Sequence, residues 1–419
     1  MTARPFKIAA ICTQYYPFSH ADVIVTRWLE PHVNDARLGF VPSTQIASLW
    51  VMQHPEGDAP VPADFDVSPN SGRQTYDTRF DISQSVSQRY TVPIFPTIRA
   101  ALTLGGEQLG VDAVLLIGEH GQFLRNDYGQ ILYPRKELFD EIVKVFQEFG
   151  QVVPVFCDKH LSWNIAWAQE MVHTAKTLGI PLFAGSSAPI SGSLNDLHLA
   201  GEDIAESLGL FYVGGEVYGI HSLEYVQSLI EQRIGGESGI VAVRAYEGDD
   251  VWAALARGEW SRELFDATLS AAVTAHLGDF RTNCAKSALE PVAFICEHVD
   301  GHRQTHIMLD GHIQEFVAGV RLRSGEIRAS TCNMGGLENF VVNFTHLDRE
   351  IQKFFLTRRA PIAIERVLLT TMTIATLMHA LKDQPSQRVL TPHLGVAYKP
   401  LPYTPVRISG RKSPTIPNA

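Results

Sequence analysis

The sequence lacks a long apolar run. No stretch approaches the roughly 20 consecutive apolar residues that are needed to cross a bilayer. The first five residues lead directly into a short apolar strand, without the apolar segment and small-residue cleavage site of a signal peptide. We therefore expect a cytoplasmic protein that does not interact with a membrane.

Paired cysteines and clustered basic residues are also lacking. The cysteines are odd in number, widely spaced and without a CxxC pair, so neither a disulfide framework nor a structural zinc site is indicated. Each is expected to be a small buried apolar residue; they are Cys12, Cys157, Cys284, Cys296 and Cys332. The formal net charge is -10 and no cluster of Lys and Arg suited to phosphate contacts is present, so no nucleic-acid partner is expected.

Two common enzyme motifs are missing as well. There is no GxSxG turn of a serine hydrolase and no HExxH zinc motif. The composition that remains is that of a globular protein, with 45% hydrophobic and 19% charged residues. Because 419 residues exceed the size of one ordinary core, we predict two domains.

Residues 7–188 alternate short apolar runs with amphipathic helical stretches. This alternation is typical of a parallel sheet that is covered by helices. Between the runs, Ser19 and Asp22 form a capping box, an amphipathic stretch follows Pro134, and Ser162 is expected to cap a third helix. The predicted strands are 8–12, 46–52, 113–117, 152–156 and 181–184.

The rest of the chain follows different patterns. Residues 55–87 are rich in Pro, Asp, Ser, Gln and Gly without a sustained period, which predicts a long surface insertion near 55–90. Antiparallel strands are expected at 292–296, 306–309, 316–320 and 340–344, with turns at 300–301 and 310–311. The predicted domains are 1–190 and 191–385, followed by a Pro-rich tail over 386–419.

Polar side chains follow four of the predicted parallel strands. Ligands of open parallel sheets bind beyond the carboxyl ends of the strands, and buried strands need only turn residues where they stop. We therefore expect these side chains to form a site. They are Thr13, Gln14, His20 and Asp22 after the first strand, Glu119 and His120 after the third, Asp158, Lys159 and His160 after the fourth, and Ser186 and Ser187 after the fifth.

This cluster is compatible with more than one chemistry. Glu119 and His120 lie in a turn between two glycines and are candidates for acid-base catalysis. Together with Asp158 and His160 they also offer oxygen and nitrogen ligands for a divalent metal such as Zn, Mn or Fe. Asp22 already has a structural explanation as a member of the capping box.

Several segments resemble the Gfo/Idh/MocA oxidoreductase family. Residues 155–162, the helix after them and residues 180–185 resemble the fifth strand with its EKP signature, the following helix and the sixth strand. Residues 97–115 are similar to the helix and strand before the nicotinamide site of that family. Residues 219–224 resemble its DxGxHxxD stretch, and residues 344–381 resemble its closing helices. The resemblance covers nearly the whole chain through short motifs.

The sequence departs from the family pattern at three places. Residues 12–17 contain none of the glycines of the GxGxxG loop, which bring the backbone close to a pyrophosphate. Residues 51–54, after strand two, supply no acid for the adenosine ribose. In the signature motifs, Asp158 replaces Glu and His160 replaces Pro, and Val217 and Glu224 stand where the family has Asp.

The resemblance implies an α/β fold, with a Rossmann-like doubly wound parallel sheet and a second α+β domain whose sheet is mostly antiparallel. It makes Lys159 the catalytic lysine and His221 a proton-transfer partner for a substrate hydroxyl. It also implies NAD or NADP as cofactor, a sugar, polyol or related small molecule as substrate, and a homo-oligomer. We assign cofactor contacts to the strand-end residues Thr13, Gln14, His20, Asp158 and Ser186.

Two other functions are compatible with the same residues. The first is a lyase, epimerase or hydrolase that uses this cleft for acid-base chemistry, with or without a metal. The second is a non-catalytic sugar-binding or regulatory protein on an inherited fold.

Overall fold

The computed structural model describes residues 4–54, 60–73, 79–273, 288–334 and 341–403. Within them the chain forms two sheets. The predicted fold class is confirmed, because a parallel Rossmann-like sheet is followed by a larger, mostly antiparallel one. Four of the five cysteines are buried and free, as expected, and Cys284 lies outside the described residues.

The first sheet has five parallel strands in the order β2-β1-β3-β4-β5. Their apolar residues are buried on both faces, which explains why the runs in the sequence are continuous rather than alternating. The strand order reverses between β1 and β3, and ligands of such sheets bind at this position. The strands are β1 Lys7–Cys12, β2 Gln45–Val51, β3 Ala113–Ile117, β4 Val155–Asp158 and β5 Leu182–Gly185.

Helices cover both faces of this sheet. The helix predicted after Pro134 ends at Gly150, which has a φ of 60°. The cap predicted at Ser162 is wrong, because Asn164 accepts the Trp167 N–H and begins the helix instead. The helical segments are a π-helical turn Asp22–Thr26, α1 Arg27–Leu29, a 3-10 turn Ala36–Leu38, α2 Ser83–Tyr90, α3 Ile98–Thr103, α4 Arg135–Phe149, α5 Ile165–Leu178 and α6 Ser187–Ser191.

The insertion near 55–90 is only partly the surface loop that its composition predicts. It contains α2, and its apolar side chains Val67, Phe80, Ile82 and Val86 are buried in the core of the first sheet. The Ile82 N–H donates to the Tyr15 carbonyl at 2.9 Å. The described part of the insertion therefore packs over the loop that follows β1.

The second sheet has seven strands in the order β11-β10-β6-β9-β8-β7-β12. Only β6 and β9 run parallel to each other. The turn predicted at 300–301 joins β8 to β9, whereas the one at 310–311 makes no hairpin because β10 pairs with β6 and β11. The strands are β6 Ile204–Phe211, β7 Ile240–Glu247, β8 Leu289–His298, β9 Arg303–Asp310, β10 Val317–Leu322, β11 Ile327–Thr331 and β12 Val389–Leu390.

The strand predicted at 340–344 is wrong. The described part of this segment begins a helix, in which Phe344, Leu347, Ile351 and Phe354 are buried at helical spacing. The tail predicted from residue 386 contributes β12 and a 3-10 turn Pro392–Leu394 before it leaves the described residues. The remaining helices are α7 Gly219–Ile230, α8 Asp249–Ala256, α9 Arg262–Ser270, α10 Asn343–Thr357 and α11 Ile364–Asp383.

Both faces of the second sheet carry helices. Helices α7 and α11 share one apolar cluster with the sheet, and α8 and α9 share another with residues such as Leu208 and Ile307. In the described part of the chain, α11 alone is long and apolar enough to cross a membrane, but 72% of its apolar window is buried inside the molecule. It is placed as a core helix between the two sheets.

Candidate functional site

The carboxyl ends of β1, β3, β4 and β5 meet at one edge of the first sheet, as predicted. The Thr13 hydroxyl donates to the Glu119 carbonyl at 2.7 Å, and His20 Nδ1 lies 2.5 Å from Asp158 Oδ2. From the second half of the chain, α7 adds His221, whose Nδ1 is 2.5 Å from Ser186 Oγ. We call this edge of the sheet, together with His221, the strand-end site. Two of the predicted residues bond elsewhere, because Gln14 donates to Gln53 and Ser187 accepts from Asn343.

A buried ion triad lies at the centre of the strand-end site. Lys159 Nζ is 2.9 Å from one Glu119 oxygen, and Arg135 donates to the other. Burial alone would raise the pKa of the Glu119 carboxyl, but the two cations outweigh it and hold that pKa well below its usual range. The carboxylate is therefore ionised and fixes the position of Lys159.

A glycine makes room for this triad. An added Cβ at Gly118 would lie 2.6 Å from Arg135 Cγ, so no other residue fits between β3 and the start of α4 without a shift. Arg135 is fully buried at the first position of α4, where the helix dipole disfavours a cation. Its position is explained by the Glu119 carboxylate rather than by the helix.

Two of the predicted residues have strained backbones. His120 has a φ of 68° and Lys159 a φ of 61°, in the left-handed region that side chains other than glycine rarely adopt. Strain of this kind tends to be retained at functional sites. At Lys159 it directs Nζ toward the second half of the chain, where Nζ donates to the Val217 carbonyl at 3.3 Å and lies 6.0 Å from the centre of the Tyr218 ring.

Imidazole and phenol rings form one wall of the strand-end site. His120 Nδ1 is 2.6 Å from the Tyr16 hydroxyl, and the His120 ring packs edge-on against His20 at 5.0 Å. His120 Nε2 is buried without a hydrogen-bond partner. Burial lowers the pKa of His120 to about 3, so this ring is uncharged at neutral pH.

His221 is held by a chain of contacts behind it. The Ser186 hydroxyl bonds to Nδ1, and the Ser186 amide donates to Glu224 Oε2 at 2.6 Å. Burial first, and then the Lys159 charge, lower the pKa of His221 well below its usual range. Burial raises the pKa of Glu224 to about 7. His221 is therefore uncharged and fixed, with Nε2 left for a substrate.

His160 and Glu216 form a second buried contact next to the triad. His160 Nε2 lies 3.9 Å from Glu216 Oε1, and neither atom has a hydrogen-bond partner. Burial raises the pKa of Glu216 to about 7 and lowers that of His160 well below its usual range. Both groups are close to the triad but enclosed by protein.

Among the described residues of the site, the aromatic wall and His221 are the parts that reach solvent. Lys159, Glu119 and Arg135 are buried, whereas the side chains in front of them keep partial exposure. A small molecule would therefore meet imidazoles and phenols first and the Lys159 ammonium behind them. These partly exposed residues are Tyr16, His20, His120, Tyr218 and His221.

The metal hypothesis finds no support in this geometry. Among the described residues, no group of three or more His, Cys, Asp or Glu side chains is arranged to hold a metal ion. Glu119 is occupied by Lys159 and Arg135, and Asp158 by His20. The four proposed ligands are thus separated by their own partners.

Sequence reasoning missed several members of the strand-end site. Arg135 carried a usable signal, because a cation in the first turn of a helix needs a compensating acid. Glu216 and Tyr218 follow a pair of glycines before α7. These glycines indicate a turn, but nothing else in the sequence marks the two residues as part of a site. The capping box predicted for Ser19 and Asp22 is half formed. The Ser19 hydroxyl accepts the Asp22 backbone N–H, but the Asp22 carboxylate accepts the Phe18 N–H instead of the Ser19 N–H.

Comparison with known proteins defines the fold of the chain. No family model and no curated protein matches the sequence. Solved structures match it over nearly its full length. GenD2 from gentamicin A biosynthesis, in complex with NAD, has a TM-score of 0.55 and 12% identity over 93% of this chain and 97% of GenD2.

Two further structures extend this similarity. The myo-inositol dehydrogenase of Lactobacillus casei, in complex with NAD(H) and myo-inositol, has a TM-score of 0.53 and 10% identity over 93% of this chain and 97% of its own. The biliverdin reductase of Synechocystis sp. PCC 6803, in complex with biliverdin and NADP+, has a TM-score of 0.51 and 10% identity over 90% of this chain and 99% of the reductase. At these identities the comparison establishes a shared fold.

A dinucleotide does not fit the loop after β1 in the way this fold holds one. That mode needs glycines and free amides at the start of the first helix. Here Ser19 Oγ accepts the amides of Tyr16 and Asp22, both at 3.2 Å. The buried Asp22 carboxylate accepts the Phe18 amide at 2.8 Å and would repel a phosphate.

The insertion closes the same region. Arg73 pairs with Asp22 at 2.8 Å, and its guanidinium lies 5.7 Å from the centre of the Phe18 ring. After β2, the Gln53 side chain accepts the Gln122 amide at 3.0 Å, so this end of the sheet is tied to the loop after β3. The standard dinucleotide groove is therefore filled by side chains of the chain itself.

Proposed function

We propose that the protein is an enzyme that transfers a proton to and from a hydroxyl group of a small, hydroxyl-rich molecule such as a sugar or polyol. One observation carries the proposal. Lys159 from the first half and His221 from the second half converge beside a partly exposed aromatic wall, and each is fixed by buried partners. A structural role alone would not require a strained, buried lysine and a histidine of lowered pKa at the same edge of the sheet.

The chemistry follows from the charge state of the two groups. His221 is uncharged, and with Nδ1 donating to Ser186 its Nε2 can accept a hydroxyl proton. The Lys159 ammonium, held by Glu119, stabilises the alkoxide that forms. Groups in such roles contribute roughly 10² to 10⁴-fold to rate.

An oxidoreductase is the first form of this proposal. It is supported by the similar solved structures, two of which are complexes with NAD or NAD(H). The filled groove means that a nicotinamide cofactor would need a different mode of binding. Calorimetric titration of the full chain with NAD and NADP to millimolar concentration tests this form, and absence of binding by both would remove it.

A non-redox enzyme, such as an epimerase or lyase, is the second form. The specific observation in its favour is the occupation of the dinucleotide loop by Asp22 and Arg73. An epimerase takes a proton from carbon as well as handling the hydroxyl group, and a solvent-derived proton returns to that carbon, so its turnover in D2O would place deuterium on the carbon skeleton. A lyase loses the carbon proton when the double bond forms, and it incorporates deuterium when the reaction runs in reverse. Hydride transfer to a nicotinamide would leave the substrate carbon without solvent deuterium.

A further inference from the structure

Two imidazoles of the strand-end site are held in the same way. His20 Nδ1 lies 2.5 Å from Asp158 Oδ2, and His221 Nδ1 lies 2.5 Å from Ser186 Oγ. Asp158 ends β4 and Ser186 follows β5, and these two strands are neighbours in the sheet. In each ring the other nitrogen, Nε2, makes no hydrogen bond to a described residue. Both rings are therefore able to contact a ligand through Nε2.

The other two imidazoles at this edge are closed to a ligand. His120 Nε2 and both nitrogens of His160 are buried without a hydrogen-bond partner. Nε2 of His20 and Nε2 of His221 are not among the buried unbonded atoms, and the His20 side chain is 15% exposed. Among the described residues of the site, His20 and His221 are thus the histidines whose unbonded nitrogen reaches the surface of the cleft.

The two rings differ in the group behind them. His221 is backed by the neutral Ser186 hydroxyl, whereas His20 is backed by the Asp158 carboxyl group, which is 1% exposed. A carboxylate at Nδ1 keeps the ring proton on that nitrogen, leaves Nε2 as an acceptor and stabilises the imidazolium that forms when Nε2 takes up a proton. His20 is therefore built as the stronger base of the two.

The two rings are also close enough to act on one small molecule. The His20 ring packs edge-on against Phe344 at 4.9 Å, and the His221 ring packs against Phe316 at 5.6 Å. After burial and the Lys159 charge, the His20 charge is the next contribution that lowers the pKa of His221. A molecule bound between them would meet two bases of unequal strength.

We propose that His20 is a second catalytic residue of the strand-end site and takes a proton from a carbon atom of the substrate, while His221 acts on the hydroxyl group. This inference rests on the proposed function and deepens its non-redox form. The substrate class is then a small hydroxycarbonyl compound, such as an aldose or a ketose, because only a carbon beside a carbonyl group releases a proton to an imidazole. The reaction is the interconversion of the two isomers.

The reaction balances without an oxidant. His20 Nε2 takes the proton of the hydroxyl-bearing carbon, and the electron pair of that C–H bond forms a C=C bond as the carbonyl π electrons move to oxygen. The uncharged His221 carries the hydroxyl proton to that oxygen, and the Lys159 ammonium stabilises the charge that develops. The second carbonyl group forms as the proton on His20 adds to the former carbonyl carbon. Hydride transfer would need no base for the carbon atom.

Chemical modification tests the free nitrogen of His20 without a substrate. The full chain is treated with diethyl pyrocarbonate, which modifies accessible uncharged imidazole nitrogens, and the modified residues are mapped by mass spectrometry. We expect modification of His20 and His221, and of His198 as the reference, because that side chain is 76% exposed. His120 and His160 should stay unmodified in the folded protein. Protection of His20 to the level of His120 would overturn the proposal independently of the proposed function.

Exchange with D2O tests the role of His20. A panel of small aldoses and ketoses is incubated in D2O with the full chain, and carbon-bound deuterium is measured by NMR against a protein-free control. We expect incorporation beside the carbonyl group, slowed roughly 10² to 10⁴-fold in His20→Asn. His198→Asn, at an exposed histidine that also lies beside an acid, should match the wild type.

The outcomes separate this inference from the proposed function. If a hydroxylated compound is converted without deuterium on carbon, or if folded His20→Asn incorporates deuterium at the wild-type rate, the role of His20 is overturned and the proposed function stands. If no hydroxylated compound is converted, the proposed function fails and this inference fails with it. The modification map and the wild-type exchange decide the matter even if His20→Asn does not fold.

Discussion

Ser186 Oγ and His221 Nδ1 lie 2.5 Å apart, and this contact links the end of β5 to α7. The same hydroxyl accepts the Ala188 amide at 3.1 Å and so caps α6. One side chain therefore begins a helix of the first half and orients a histidine of the second half. The position of His221 in the strand-end site depends on it.

Replacing this serine should loosen both connections. We expect Ser186→Ala to lower the free energy of unfolding by about 1–2 kcal/mol, because it removes a helix cap and a buried hydrogen bond. Urea denaturation measures the change. Ser270→Ala, at an exposed serine of α9, should stay within about 0.5 kcal/mol of the wild type. Similar losses in both variants would argue against the linking role.

The ion triad should be far more sensitive than a surface pair. Arg135→Met leaves the buried Glu119 carboxylate with one cation, and we expect it to cost about 3–5 kcal/mol in urea denaturation. Arg99→Met breaks the pair with Glu148, in which both side chains are more than 40% exposed, and should cost at most about 1 kcal/mol. Equal costs would mean that Glu119 is not the buried charge described above.

Glu224 should make stability depend on pH in an identifiable way. Its pKa rises from an ordinary 4.5 to about 7 in the folded protein, so folding favours the protonated carboxyl. The resulting stabilisation is complete below pH 4.5 and is lost as the pH rises through about 7. Glu224→Gln cannot ionise, so its melting temperature relative to wild type should increase between these pH values. A constant difference would place the Glu224 pKa near its ordinary value.

Gly185 should be more sensitive to an added side chain than a glycine with open space around it. It has a φ of 123°, and an added Cβ would lie 3.1 Å from Glu224 Oε1. Gly179, at the end of α5, also has a positive φ but open space around it. Backbone strain should lower the free energy of unfolding of both alanine variants by about 1–2 kcal/mol. Gly185→Ala should lower it further, because the added Cβ also displaces Glu224. Thermal unfolding of the two variants checks the order.

Much of the first sheet could be predicted because each of its strands is recognisable from a short stretch of sequence. Strands that are buried on both faces appear in the sequence as unbroken apolar runs, and the polar residues after them exceeded what the turns require. This reasoning found Glu119, Lys159, His120 and Ser186. The resemblance of short motifs added His221, which no local pattern would have joined to them.

Other features depend on contacts that the sequence does not display. Residues 340–344 are apolar except for Asn343 and suggested a strand, although the helical period is visible once Leu347 and Ile351 are included. Arg135 and Glu119 are sixteen positions apart and meet only because α4 packs back on β3. The filling of the dinucleotide loop by Arg73 depends on how the insertion folds back over β1.

The central claim is that Lys159 and His221 act on a hydroxyl-bearing small molecule. The most direct measurement incubates the full chain with a broad set of sugars, polyols and their acids and follows conversion by mass spectrometry, beside His221→Asn and Lys159→Met. We predict that the wild type converts a hydroxylated compound and that each variant slows this by roughly 10² to 10⁴-fold, provided that it is folded by circular dichroism. Conversion at wild-type rate in both folded variants would contradict the account.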